Sequence, residues 1–248
     1  MNTPTQLRPA VDRYGFVDAP EGRRLRGRRI AAALVEFGRV DMASARVLDI
    51  GCSAGIITEQ IAQAARLTIG IDVDVESLAY AMRVAHRARF AASAADRLPF
   101  AAASFDAAVC NHVYEHVPDA RALMREAHRV LRPGGVCYFA GGHTLQLIEP
   151  HHHVPLLSLM PRKIADAVLR RTRGESRYTE RFVPPWRLRA LFAPFARVEF
   201  ISPRMLREPE RFEFPALARL PALLRPVLAL GSNVVARLAP TWIYLLEK

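Results

Sequence analysis

Between residues 46 and 140 the chain alternates short apolar runs, at 46–50, 67–71, 89–92, 106–110 and 136–140, with helical patterns at 56–65, 76–86 and 120–131. The runs have the length and the bounding turns of buried strands. Each helical crossover returns the chain in the same direction, so the alternation predicts a parallel sheet with helices on both faces. A further helix is expected ahead of the sheet over 23–37, with a basic start and an apolar continuation through Ile30, Leu34 and Phe37.

After Ala140 the rhythm breaks, and 55 residues pass before the next strand candidate at 196–201, far more than an ordinary connection. The reading is an insertion, 142–195, whose centre at 156–169 places Leu157, Met160, Ile164 and Val168 near one helical face and Arg162, Lys163 and Arg170 opposite. A second insertion, 203–240, precedes a last strand at 242–246, and the strands 196–201 and 242–246 are expected to form an antiparallel edge pair. At 248 residues, 24% charged, the chain suits one α/β domain (1–248), doubly wound with a seven-stranded, mostly parallel sheet, with a core at 22–141 and the two insertions added to it.

The most apolar stretch, 216–239, is interrupted by Arg219, Pro221, Arg225, Pro226 and Arg237, short of the roughly 18 clean apolar residues that span a bilayer. Pro221 and Pro226 are expected to break it into short pieces whose leucines are buried within the monomer as a roof over the acceptor; a peripheral membrane contact is the other reading. The N-terminus, with Arg8, Pro9, Asp12 and Arg13, lacks the apolar core of a secretion signal. Cys52, Cys110 and Cys137 follow no metal-ligand spacing and lie in or beside apolar runs, as buried reduced thiols do, so a cytoplasmic location is expected. The formal net charge of +11 favours acidic partners, phosphate or anionic lipid, without choosing among them, and a merely basic surface explains it equally well.

The first run ends in Asp49-Ile50-Gly51-Cys52-Ser53-Ala54-Gly55, and a helix follows at once. Glycine lets the backbone of such a turn approach a ligand, and the helix start offers amide groups to it. Asp49 stands where it would attract a cationic group and repel a pyrophosphate. Asp72 closes the second run, the place from which an acid binds both ribose hydroxyls. Asp96 follows the third, where a carboxylate can accept from an adenine amino group.

Together with Phe105-Asp106, Glu115-His116-Val117 and Leu131-Arg132-Pro133-Gly134-Gly135, these residues make the chain resemble the class I S-adenosylmethionine-dependent methyltransferases over 22–141. The resemblance implies S-adenosyl-L-methionine as cofactor, bound by Asp49, Gly51, Cys52, Gly55, Asp72, Val73, Asp96, Arg97 and Asn111. The chain departs from the family pattern at Ser53, which stands where the first motif usually has its middle glycine.

His112, Glu115 and His116, with His143 beyond the fifth run, are similar in spacing to the cluster Glu-x-x-Glu-His that holds a divalent metal in ubiquinone O-methyltransferases and small-RNA 2′-O-methyltransferases. His112 replaces the first glutamate, and no metal is expected. Of His151-His152-His153, neighbours on an extended chain alternate sides, so at most His151 and His153 are expected to act together, one of them as a base. The candidate catalytic set is therefore His112, His116, His151 and His153. The stretch 151–170 is also similar to the lid of uncharacterised methyltransferases of bacterial glycan and lipid pathways.

The expected reaction is methyl transfer, with O-methylation favoured, to a small amphipathic or lipid- or glycan-pathway acceptor, because apolar faces bordered by arginine suit such a molecule. RNA is the alternative substrate, disfavoured because no interleaved aromatic platform is present. A non-catalytic cofactor-binding regulator is the alternative from another class.

Overall fold

The structure, a computed structural model, describes residues 20–149, 151–174 and 177–248. The reading of the N-terminus over 8–13 lies outside them. A helix, α1 (Pro20–Glu36), precedes β1 (Arg46–Ile50), α2 (Ile56–Ala62), β2 (Leu67–Asp72), α3 (Val75–Val84), β3 (Arg89–Ala92), β4 (Phe105–Asn111), α4 (Ala120–Val130) and β5 (Leu131–Gly141). There follow a 3₁₀ turn (Leu157–Leu159), α5 (Arg162–Arg173), α6 (Pro185–Ala190), β6 (Arg197–Phe200), α7 (Ser202–Arg207), α8 (Pro215–Ala218), a second 3₁₀ turn (Ala222–Leu224), α9 (Arg225–Leu238) and β7 (Trp242–Glu247).

The seven strands form one sheet in the order β3-β2-β1-β4-β5-β7-β6. Only β7 runs against its neighbours, pairing antiparallel with both β5 and β6. The chain reverses direction across the sheet between β1 and β4, and the carboxyl ends of both strands open into one crevice, where ligands of open α/β sheets bind.

Alternation along each strand sorts the core into two layers. Leu48, Ile50, Cys110, Phe139 and Leu246 pack on one face with Leu123, Met124 and Ala127 of α4 and Leu188 of α6. Val47, Ala107, Val109, Tyr138 and Leu245 pack on the other with Ile30, Ala33 and Leu34 of α1 and Met205 of α7. Each large side chain so buried contributes about 1.5–3 kcal/mol. The two helices that follow β2 and precede β5 start at aspartate caps. Asp74 accepts from the amides of Glu76 and Ser77, and Asp119 from those of Arg121 and Ala122.

Both insertions depart from the expected detail. The lid helix begins at Arg162, one residue after Pro161, so its phase is set there rather than at Leu156. Ala165 and Leu169, with Leu157 and Tyr178, make the small lid core, Val168 and Met160 lie at its margin, and Ile164 faces outward, 52% exposed. The second insertion overturns the roof expectation. Pro226 falls in the first turn of α9, where its missing amide costs no hydrogen bond, so it starts a 14-residue helix instead of breaking one. Leu223, Val227, Leu230, Val234 and Leu238 face outward, not into the monomer.

Candidate active site

The turn after β1 is held against β2. The amides of Gly51 and Cys52 both donate to the carbonyl of Ile71, at 2.8 and 2.9 Å, and the amide of Ser53 donates to Asp72 Oδ2 at 2.8 Å. Gly51 and Gly55 have φ of 73° and 72°, which favour glycine, and a Cβ on either would stand 2.5 Å from Val113 Cγ2 or 2.7 Å from Ala81 Cβ. Ser53 adopts the left-handed region at φ 47°, so the departure from glycine keeps the turn at a conformational cost.

Asp49 is buried and accepts from the Thr58 hydroxyl at 2.6 Å. Burial pushes its carboxyl up to about 7, with the charge of Asp72 adding to the rise and the Thr58 bond opposing it. A buried acid poised near neutrality is readily ionised by an arriving cationic group. Asp72 accepts from the amides of Ser53 and of Asp74, one at each carboxylate oxygen, and each oxygen keeps a second lone pair for a ligand hydroxyl. Val73 beside it is 70% exposed, Cys52 turns inward and is buried, and Asp96 and Arg97 lie on the turn after β3, Asp96 half-buried and Arg97 exposed.

Beyond β4 the backbone turns sharply at His112, φ 56°, whose amide donates to the Ala140 carbonyl at 2.8 Å. This aims the ring at Glu115, which is fully buried: His112 Nδ1 lies 2.9 Å from Glu115 Oε1. His151 reaches the same oxygen from the lid, Nε2 at 3.4 Å, and the amide of Arg181 fixes the Glu115 carbonyl at 2.8 Å. Glu115 Oε2 has no hydrogen-bond donor among the described residues. Burial presses toward a neutral Glu115, but the bonds and charges of His112 and His151 prevail and hold its carboxyl well below the usual range. Burial lowers His112 despite Glu115. Burial also pulls on His151, but Glu115, supported by Glu149 and Glu180, outweighs it and raises the ring.

Because the ionised Glu115 only accepts, the His112 proton resides on Nδ1 and leaves Nε2 as a lone pair. That nitrogen lies 3.1 Å from Thr241 Oγ1. His112 and Thr241 both line a cavity of about 250 Å³, whose other walls include Asn111, Tyr138, Ile243 and Arg26.

Four of the histidines singled out in the sequence fall differently from one another. His112, His116 and His151 come together, the His116 and His151 ring centres 4.9 Å apart. His153 stands outside, exposed and with φ 54°. The pairing of His151 with His153 fails because Glu149 caps the following turn, accepting from the amides of both His151 and His152, so the segment is not extended. It is His152 that is buried, 3.3 Å from Glu180 Oε2. His143 packs on Trp242, ring centres 4.1 Å apart, and His151 takes the place expected for it. Ligand-capable atoms of His112, Glu115 and His151 lie within 4.8 Å of one another. Oε1 of Glu115 already serves both rings, and the set has one carboxylate where the resembling cluster has two. Thr58 and Thr241 escaped the sequence reading: the first is an ordinary helix residue there, and the second lies 129 positions from His112.

The sheet order, the single reversed strand and the crevice after β1 and β4 define the class I methyltransferase fold. Residues 48–139 match the family model described as a methyltransferase domain, and this core has the fold of solved S-adenosylmethionine-dependent methyltransferases. A stretch of 110 residues is 34% identical to the ubiquinone biosynthesis O-methyltransferase of Pseudomonas fluorescens. That match covers 41% of this chain and 46% of the relative, so the chain spans about half the length of the curated relatives it matches. Among solved structures it is similar to an S-adenosylmethionine dependent methyltransferase from Mesorhizobium loti, with a TM-score of 0.57 and 19% identity, covering 89% of this chain and 100% of that one. A SAM dependent methyltransferase from Archaeoglobus fulgidus gives 0.57 at 15% identity, covering 96% and 99%.

Proposed function

We propose that the protein transfers the methyl group of S-adenosylmethionine to a hydroxyl oxygen of a small amphipathic acceptor bound in the cavity at His112. The observation that carries this is the His112 ring, bonded through Nδ1 to the buried Glu115, with Nε2 at Thr241 on the cavity wall.

In this reading Asp49 meets the cationic end of the cofactor, and Asp72 holds its ribose. The sulfonium supplies an activated methyl group. The protein aligns the acceptor oxygen in line with it, about 3–3.5 Å away. A hydroxyl must lose its proton as it attacks, and His112 Nε2 takes it, directly or through Thr241. Glu115 fixes the tautomer and stabilises the imidazolium that forms. His151, raised toward its charged form, keeps Glu115 ionised. The cavity walls Tyr138, Ile243 and Leu206 suit an apolar body, and Arg26 and Arg29 add positive potential to one side. The O-methyltransferase relatives, named for ubiquinone biosynthesis, support oxygen as the accepting atom.

The test is formation of S-adenosylhomocysteine with a panel of alkylated catechols and phenols. Transfer is expected with an apolar-chain phenol and is unchanged by chelator. His112→Gln should lower kcat about 10²–10⁴-fold with cofactor affinity retained. Full activity of His112→Gln, or chelator inhibition reversed by a divalent ion, would refute the assignment of the base.

A further inference from the structure

The face of α9 turned from the body is apolar and has no partner among the described residues. Ser232 and Ala236 are fully buried and seat the helix, and Arg207 Nε donates to Ser232 Oγ at 3.0 Å. Val227, Leu230, Val234 and Leu238 recur at steps of three and four residues, the spacing that keeps side chains on one helical stripe, on the side opposite Ser232 and Ala236. They are 65, 87, 63 and 62% exposed, and Leu223, just before the helix, is 85% exposed. Single exposed leucines are ordinary, but a contiguous stripe marks an interaction site.

Charge distinguishes the occupants. Residues 214–246 contain arginine and no aspartate or glutamate; Arg219 precedes the stripe in the chain, Arg237 lies in its last turn, and both are exposed. The whole chain carries a formal charge of +11. A second copy docked on this face about a twofold axis would set arginines against arginines with no acid between them. No described helix is long and apolar enough to cross a membrane.

We infer that the stripe Val227-Leu230-Val234-Leu238 is a docking surface for an anionic lipid bilayer. The apolar side chains enter the boundary between headgroups and acyl chains, and Arg219 and Arg237 meet lipid phosphates at the level of the headgroups. The cavity at His112 includes Ala236 and Ala239 in its wall, so the docked helix is also one side of that cavity. Docking itself requires neither cofactor nor acceptor, so it stands apart from the proposed reaction.

The full chain is sedimented with vesicles of phosphatidylcholine containing phosphatidylglycerol, and with vesicles of phosphatidylcholine alone. Binding to the anionic vesicles is expected to be at least about tenfold stronger and to weaken as salt is raised. Leu230→Glu combined with Val234→Glu should reduce it at least about tenfold, and Arg237→Gln about fivefold. Because these side chains face outward, the variants should keep the wild-type circular dichroism spectrum and affinity for S-adenosylhomocysteine, which checks their folding. Should the double variant fail to fold, Leu230→Ser serves in its place, with a reduction of several-fold. The inference is overturned if the folded wild type ignores anionic vesicles, or if the variants bind them as well as wild type does. It is overturned equally if the stripe instead drives a dimer that the same substitutions dissolve, with no vesicle binding.

Discussion

At the residue scale, the acids were legible because each lies at or just beyond the end of a strand, and strand ends can be located from apolar runs alone. Asp49 and Asp72 stand where that pattern puts them, the first buried and the second pinning the turn through Ser53. The histidine cluster was legible only in part. His112 and Glu115 are three residues apart, but the bend that brings them together depends on a left-handed backbone at a residue other than glycine, for which the sequence carries no mark. His151 joins from 36 residues away, a contact that no local pattern encodes. The resulting electrostatics predict a pH dependence. A base must be neutral to act, and burial lowers the His112 ring from its ordinary value of 6.5 more than Glu115 raises it. With cofactor saturating, so that Asp49 is held ionised, kcat/KM for the acceptor should therefore rise with pH through an inflection below 6.5 and stay flat to neutrality, with that limb absent in His112→Gln. A profile measured in wild type with an inflection above 6.5 would instead indicate the raised ring of His151 as the base.

At the element scale, strands and sheet helices were readable because two signals agree there, periodic apolar runs and the turns that bound them. The insertions carry only one of them. In the lid, apolar residues admit several phases, and Pro161 selects the one that buries Ala165 and Leu169. In α9, Pro226 reads as a breaker from sequence, yet it sits in the first turn, where a helix tolerates it. Apolar composition likewise reads as burial, and a stripe that faces outward has the same composition as one packed in the core. The two kinds of leucine should separate in stability. Leu34 on α1 is fully buried between α1 and the sheet, so Leu34→Ala should cost about 2–5 kcal/mol in denaturant unfolding. Leu230, 87% exposed, should change stability by less than about 0.5 kcal/mol as Leu230→Ser. A large loss at Leu230 would mean that the stripe is packed within the protein.

At the scale of the whole molecule, the cofactor crevice belongs to no single element. It is assembled from the ends of β1, β2 and β4, and the turn after β1 depends on Asp72 of β2 for its shape. A ligand there ties together neighbouring strands and so stabilises the fold as a unit. At 100 times its dissociation constant, S-adenosylhomocysteine should add about 2.7 kcal/mol by mass action. For a chain of this size each kcal/mol raises Tm by about 2–4 °C, so the expected shift is roughly 5–10 °C. NAD should give none, since Asp49 would face its pyrophosphate at the glycine turn. Asp72→Ala removes charge-assisted bonds worth about 1.5–3 kcal/mol each to the ribose, and should weaken binding at least about tenfold and shrink the shift at the same ligand concentration by at least about 1.3 kcal/mol in equivalent stability. Its own Tm without ligand will also fall, because Ser53 and Asp74 lose their acceptor, so the comparison must be made on ligand-induced shifts and on calorimetric affinity rather than on absolute Tm. An undiminished shift in a folded Asp72→Ala protein would place the ribose elsewhere and detach the crevice from the acid at the end of β2.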